Sequence, residues 1–130
     1  MGLFGSLFGG KGESESSSSK IPWVDLKEIS QLDEIKANSF NRPQIIFKHS
    51  TTCGISRMVL NMFTKDYTLE NDQMDFYFLD LHQYRPVSNE VAHQFNVVHQ
   101  SPQLLIIKDG AVVAHDSHGA ITDLKLETYI

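Results

Sequence analysis

The sequence predicts an α/β fold, a central mixed sheet with helices on both faces, and two observations carry that prediction. Strand-like and helix-like periods alternate along the chain from Ile21 onward, an order that packs as helices against a largely parallel sheet. Near the C-terminal end, "QLLIIKDGAVVAHD" joins two apolar runs through Asp109-Gly110, a pair suited to a tight hairpin with positive backbone angles. The hairpin makes the sheet mixed.

Each element has a local reason. "IPWV" (Ile21 to Val24) reads as a short edge strand, because Pro22 cannot donate to a ladder and is tolerated only at an edge. Ser30 is placed to cap a helix running through Leu32 and Ile35 toward Phe40, with one apolar stripe. Asn41 to Pro43 end it. "QIIFKHS" follows, rich in Ile and Phe without clear alternation, and reads as a strand buried on both faces. After Cys53 a helix is expected, with Met58, Val59, Met62 and Phe63 repeating at helical spacing as core packing. "MDFYFLDL" (Met74 to Leu81) is the next strand, and Pro86 with Ser88 prepares a helix from Asn89 to about Phe95. After the hairpin, Thr122 is expected to cap a last helix from Leu124 to Tyr129.

With 130 residues and 41% hydrophobic content the chain suffices for one small core. Residues 1–20, "MGLFGSLFGGKGESESSSSK", are dominated by Gly and Ser and cannot repay the entropy of ordering. They are read as a disordered tail before a domain spanning 21–130. Leu3, Phe4, Leu7 and Phe8 would share one face of a two-turn helix, and "MGLFGS" fits a short acylation pattern. A sticky disordered end is the simpler reading. The net charge of -5 and the lack of a long Lys/Arg cluster argue against nucleic acid as a partner. No integral membrane segment is expected either, because no window holds about 20 apolar residues. One cysteine cannot form an internal disulfide, so a reducing, cytoplasmic setting is expected.

That cysteine carries the chemistry. Cys53 follows a strand and precedes a helix, where unpaired N–H groups and the helix dipole favour an anion and so the nucleophilic thiolate. A buried, inert thiol is the common fate of a lone cysteine. Here Ser50, Thr51, Thr52 and Ser56 argue against deep burial. Ser56 lies one helical turn on, with a hydroxyl expected either to bond the thiolate or to cap the first turn. Gly54 allows close approach to the sulfur. From local sequence alone the Ser101-Pro102 bond is expected to be trans.

The order strand, "TTCGIS", helix, strand, helix, "SPQLLIIKDGAVV", helix resembles the thioredoxin fold from about Ile21 to Ile130. Within it, "FKHS" before a Cys-x-x-Ser site and "HQSPQ" at the proline resemble the monothiol bacilliredoxin-like proteins of the bacillithiol system, the YtxJ family. The resemblance implies that Pro102 is cis beside Cys53, that Ser101 pairs its backbone with substrate, and that Cys53 is the nucleophile. Cys53 would take a small thiol from an S-thiolated protein and hold it until a second small thiol removes it. Thr52, Gly54, Ser56, Ser101 and Pro102 are then auxiliary or substrate-contacting residues. Relatives often carry proline after the cysteine, where this chain has Gly54.

The implied co-substrate is a bacillithiol-type low-molecular-weight thiol, with no tightly bound cofactor; the implied partners are S-thiolated protein substrates, and the protein itself is expected to be a monomer. "CGIS" is also similar to the Cys-Gly-Phe-Ser site of cluster-carrying monothiol glutaredoxins. "QSP" and "HGAITD" depart from that subfamily, which ranks it second. A redox-silent adaptor is the third reading. No metal site is expected, since the six histidines lack ligand spacing. His49 is expected to orient or pack beside the Cys53 loop. Asp80 is read either as a proton-transfer carboxylate or as an exposed strand end.

Overall fold

The computed structural model describes residues 21–65 and 73–130. Residues 1–20, with the Leu-Phe segment and the acylation pattern, lie outside them.

Among the described residues, five strands form one sheet. They are β1 (Trp23–Asp25), β2 (Gln44–His49), β3 (Asp75–Asp80), β4 (Gln103–Lys108) and β5 (Ala111–Ser117), in the spatial order β1-β3-β2-β4-β5. β3 runs parallel to β1 and β2, whereas β4 is antiparallel to both β2 and β5. Helices α1 (Gln31–Asn38), α2 (Gly54–Lys65) and α3 (Arg85–Phe95) connect them, and two short 3₁₀ turns (His118–Asp123 and Leu126–Tyr129) close the described chain. None of the helices among the described residues is long and apolar enough to cross a membrane.

The sheet has two apolar faces because successive side chains on a strand point opposite ways. Ile45 and Phe47 pack with Val59 and Phe63 of α2 and with Ile121 and Leu126 of the terminal turns. Ile46 packs with Leu32 and Ile35 of α1 and with Val87, Val91 and Phe95 of α3. β2 is therefore buried along its whole length, as an apolar run without alternation requires. On the α2 face Trp23 sits edge-on to Phe47, Phe76 and Phe78, with ring centroids 5.7–6.1 Å apart.

The expected hairpin forms between β4 and β5. Asp109 (φ 55°) and Gly110 (φ 82°) both adopt left-handed angles, and the turn is anchored to the end of α1. The Asp109 amide donates to the Ser39 carbonyl at 2.9 Å, and the Gly110 amide donates to Ser39 Oγ at 2.8 Å. A side chain at Gly110 would meet the Phe40 ring at 3.0 Å.

Several local expectations are corrected. Ser30 makes no side-chain cap; instead Gln31 Oε1 accepts from the Lys27 and Glu28 amides at 2.8 and 3.0 Å. The first strand starts at Trp23, so Pro22 precedes it. α3 begins at Arg85, four residues before Asn89, because Pro86 sits in its first turn, where no N–H is needed. Met58 and Met62 are 55% and 45% exposed, so only Val59 and Phe63 of the α2 stripe are core. The last helix is replaced by the two 3₁₀ turns, since Leu124 is extended between them, and Thr122 donates to the Gly119 carbonyl at 2.8 Å rather than capping.

Candidate active site

β2 ends at His49, and the Ser50–Cys53 turn carries the chain into α2. The Cys53 amide donates to the Ser50 carbonyl at 3.2 Å, and the Cys53 carbonyl accepts from the Arg57 amide at 3.2 Å. Cys53 therefore stands at the N-cap position of α2, as the sequence requires. Its thiol is unpaired and the residue is half-buried. Gly54 and Thr52 on either side are exposed, and a Cβ added at Gly54 would meet nothing within 4 Å.

Beneath the turn, Ser56 is fully buried. Its Oγ accepts the Ser50 amide at 3.1 Å and lies 2.8 Å from His49 Nδ1. One O–H serves one acceptor, and here it faces a ring nitrogen. The expected hydrogen bond from Ser56 to the Cys53 sulfur is not made. His49 itself is buried against Phe47 and Phe78. Burial pushes its pKa down and Arg57 and His82 add to this, while Asp80 acts the other way. A neutral ring follows, able to accept from Ser56. His49 orients the turn, as expected.

Above the turn a second set of bonds holds its outer edge. His82 Nε2 is 2.7 Å from Ser50 Oγ and 3.2 Å from Thr52 Oγ1, and the two hydroxyls are 3.3 Å apart. Asp80 Oδ1 accepts the His82 and Gln83 amides at 3.1 and 3.3 Å. Asp80 thus secures the turn that presents His82. Its carboxylate is taken up by these backbone amides, which favours the strand-end reading over proton transfer.

The other wall comes from β4. Lys48 pairs with Gln103 in the antiparallel register, so Pro102 and Ser101 continue alongside His49 and Ser50. The Ser101-Pro102 bond is cis, against the local expectation and in line with the resemblance. The Pro102 carbonyl accepts the His118 amide at 3.1 Å. Ser101 Oγ is buried without a hydrogen-bond partner. Among the described residues, His, Cys, Asp and Glu nowhere gather in threes as a metal site needs.

A lone thiol at a helix start, flanked by a cis-proline strand, is the arrangement of thioredoxin-fold redox sites. The family model for monothiol bacilliredoxin BrxC matches residues 24–126. The chain belongs to the monothiol bacilliredoxin family. This bacilliredoxin is also similar to a solved structure described as having a thioredoxin fold, at 33% identity over 76% of this chain and 85% of that one, with a TM-score of 0.65. Thioredoxin from Malassezia sympodialis matches at 17% identity over 85% of this chain and 87% of that one, with a TM-score of 0.63. Thioredoxin O2 from Arabidopsis thaliana, in the oxidized state, matches at 17% over 83% and 95%, with a TM-score of 0.62. The fold is the thioredoxin fold, and the bacilliredoxin is a thiol oxidoreductase.

Two groups of this bacilliredoxin escaped the sequence reading. Lack of ligand spacing leaves His82 unremarkable in the sequence, although it bonds two residues of the Cys53 turn. Lys48 reads in the sequence as one member of an apolar strand, yet it is fully buried. A lysine inside a strand covered on both faces needs buried partners, and that was the available signal.

Proposed function

We propose that this bacilliredoxin removes a bacillithiol-type low-molecular-weight thiol from S-thiolated proteins. The observation that carries the reading is the site three residues after Cys53. Where a dithiol enzyme has its resolving cysteine, Ser56 is buried and bonded to His49 and Ser50, so the mixed disulfide on Cys53 has no internal thiol to attack it.

The Cys53 thiolate attacks the small-thiol sulfur of the protein mixed disulfide. An S–S bond forms to Cys53, the old S–S bond breaks, and the protein thiolate leaves with the electron pair and takes a proton from solvent. A second small thiolate then attacks the sulfur held by Cys53 and leaves as the symmetric small disulfide. The protein sulfur is reduced to the thiol, the incoming small thiol is oxidised to the disulfide level that the transferred one already holds, and Cys53 returns unchanged. Gly54 and Thr52 flank the approach to sulfur, Ser101 and Pro102 form the strand-side wall, and Ser56 holds the turn. The setting proposed is cytoplasmic, with the protein acting as a monomer.

The test mixes a bacillithiolated protein with wild type and with Cys53→Ser, followed by mass spectrometry. Wild type is expected to release the substrate and carry the small thiol on Cys53. Equal release by both proteins, or an adduct that never forms on Cys53, overturns the reading. A dimer with visible absorbance after anaerobic purification would favour the cluster-carrier reading instead.

A further inference from the structure

Lys48 takes no part in the chemistry above, and its surroundings are unusual. By strand alternation its side chain lies on the α1/α3 face of the sheet, opposite to His49. It is fully buried. Nζ donates to the Ser88 carbonyl of α3 at 3.1 Å and lies 3.1 Å from His99 Nδ1. Ser88 Oγ also lies 3.3 Å from His99 Nδ1. An ammonium has three donors and no acceptor, so His99 meets it as a neutral ring with Nδ1 as the acceptor.

His99 belongs to the segment that leads into cis-Pro102. That segment is held from the sheet a second time, by Gln103 Nε2 donating to the Val98 carbonyl at 2.9 Å. Between the end of α3 and the start of β4 it has no regular structure of its own. Two buried polar side chains from paired positions, Lys48 and Gln103, therefore supply its inward anchors. The one at Lys48 is charge-assisted and the stronger in kind.

We propose that Lys48 is the positioning residue of the cis-proline segment: its ammonium, clamped between the Ser88 carbonyl and His99, fixes the Ser101 and Pro102 backbone against which substrate is presented to Cys53. The part that concerns substrate rests on the function proposed above. Burial, with the Arg85 charge as the second cause, lowers the Lys48 pKa to about 8, and burial and Lys48 itself lower that of His99. Arg85 and His99 are the titratable groups that act on Lys48. The clamp is thus charge-assisted at neutral pH and weakens to the hydrogen bonds of a neutral amine as pH rises through about 8.

The test compares the full chain with Lys48→Met and His99→Leu. Methionine retains length and needs no partner, and the Ser88 carbonyl stays within its helix, so the first variant folds. Both variants are expected to speed amide exchange of residues 97–101 about tenfold, leaving α2 unchanged. For an S-thiolated model protein, KM is expected to rise about tenfold, with kcat and iodoacetamide alkylation of Cys53 within about twofold. Wild-type KM should rise above pH about 8, and Lys48→Met should lose that dependence. Unchanged exchange in both variants overturns the proposal. So does a fall in alkylation that matches the loss of activity, which would place the effect of Lys48 on the sulfur. If wild type transfers no small thiol, the proposed function fails while the exchange measurement still decides the clamp.

Discussion

Ser56 shows how one hydroxyl serves the site without touching the sulfur. Its oxygen takes the Ser50 amide and its O–H is matched to His49 Nδ1, so strand end, turn and helix are joined under Cys53. Ser56→Ala leaves a buried amide donor and a buried ring nitrogen unpaired, a loss of about 1–3 kcal/mol. Urea denaturation should show that loss, and the pH dependence of Cys53 alkylation should stay close to wild type; a large change in the alkylation profile would restore a direct bond to the thiolate. Spacing alone placed Ser56 one turn from Cys53 and could not choose between sulfur and histidine as its partner. The choice is set by His49, whose burial is a property of the folded sheet. Cys53 and cis-Pro102 were legible for a different reason. The first is fixed by a local strand-to-helix junction, and the second by a resemblance that local statistics opposed.

At the scale of elements, the strands were readable and the helix ends and faces less so. β2 lacks alternation because both its faces are covered, and Asp109-Gly110 can close only a tight turn, so both are local signals. α2 shows the limit. Its apolar residues are wide enough in spread to suggest one core stripe, but the sheet covers only the Val59 and Phe63 side and leaves Met58 and Met62 facing outward. Which part of an apolar arc is covered depends on the crossing angle and on the terminal turns, neither of which periodicity contains. The consequence is measurable. Met58→Gln with Met62→Gln should shift stability by no more than about 0.5 kcal/mol, as surface changes do, whereas Phe63→Ala, 6% exposed, should cost about 3–5 kcal/mol. Equal losses in denaturant titrations would return the methionines to the core. The terminal 3₁₀ turns have the same origin: Ile121 and Leu126 are buried, and satisfying both from a short segment takes an extended break at Leu124.

For the whole molecule, a buried cation at the centre of the sheet makes stability depend on pH in a direction opposite to that of a paired surface lysine. In the unfolded chain Lys48 keeps its ordinary value of 10.5, and in the fold it is lowered to about 8. Between those values the unfolded state binds more protons than the native one, so the stability of the fold rises with pH across that window. Below it the full cost of burying the charge is carried, on the order of 3 kcal/mol for a shift of this size. Tyr77, whose pKa burial raises, opposes the trend above its ordinary value, so the informative quantity is the difference between wild type and Lys48→Met. That variant should be the more stable protein at neutral pH, and the gap should close as pH rises from about 8 to 10.5. Denaturant midpoints across this range test it, and a gap that stays constant would show that Lys48 keeps its ordinary pKa in the native state. A protein that keeps a destabilising ammonium in its core at neutral pH, where the hydrogen bonds of that ammonium hold the cis-proline segment, exchanges global stability for order at one wall of its active site.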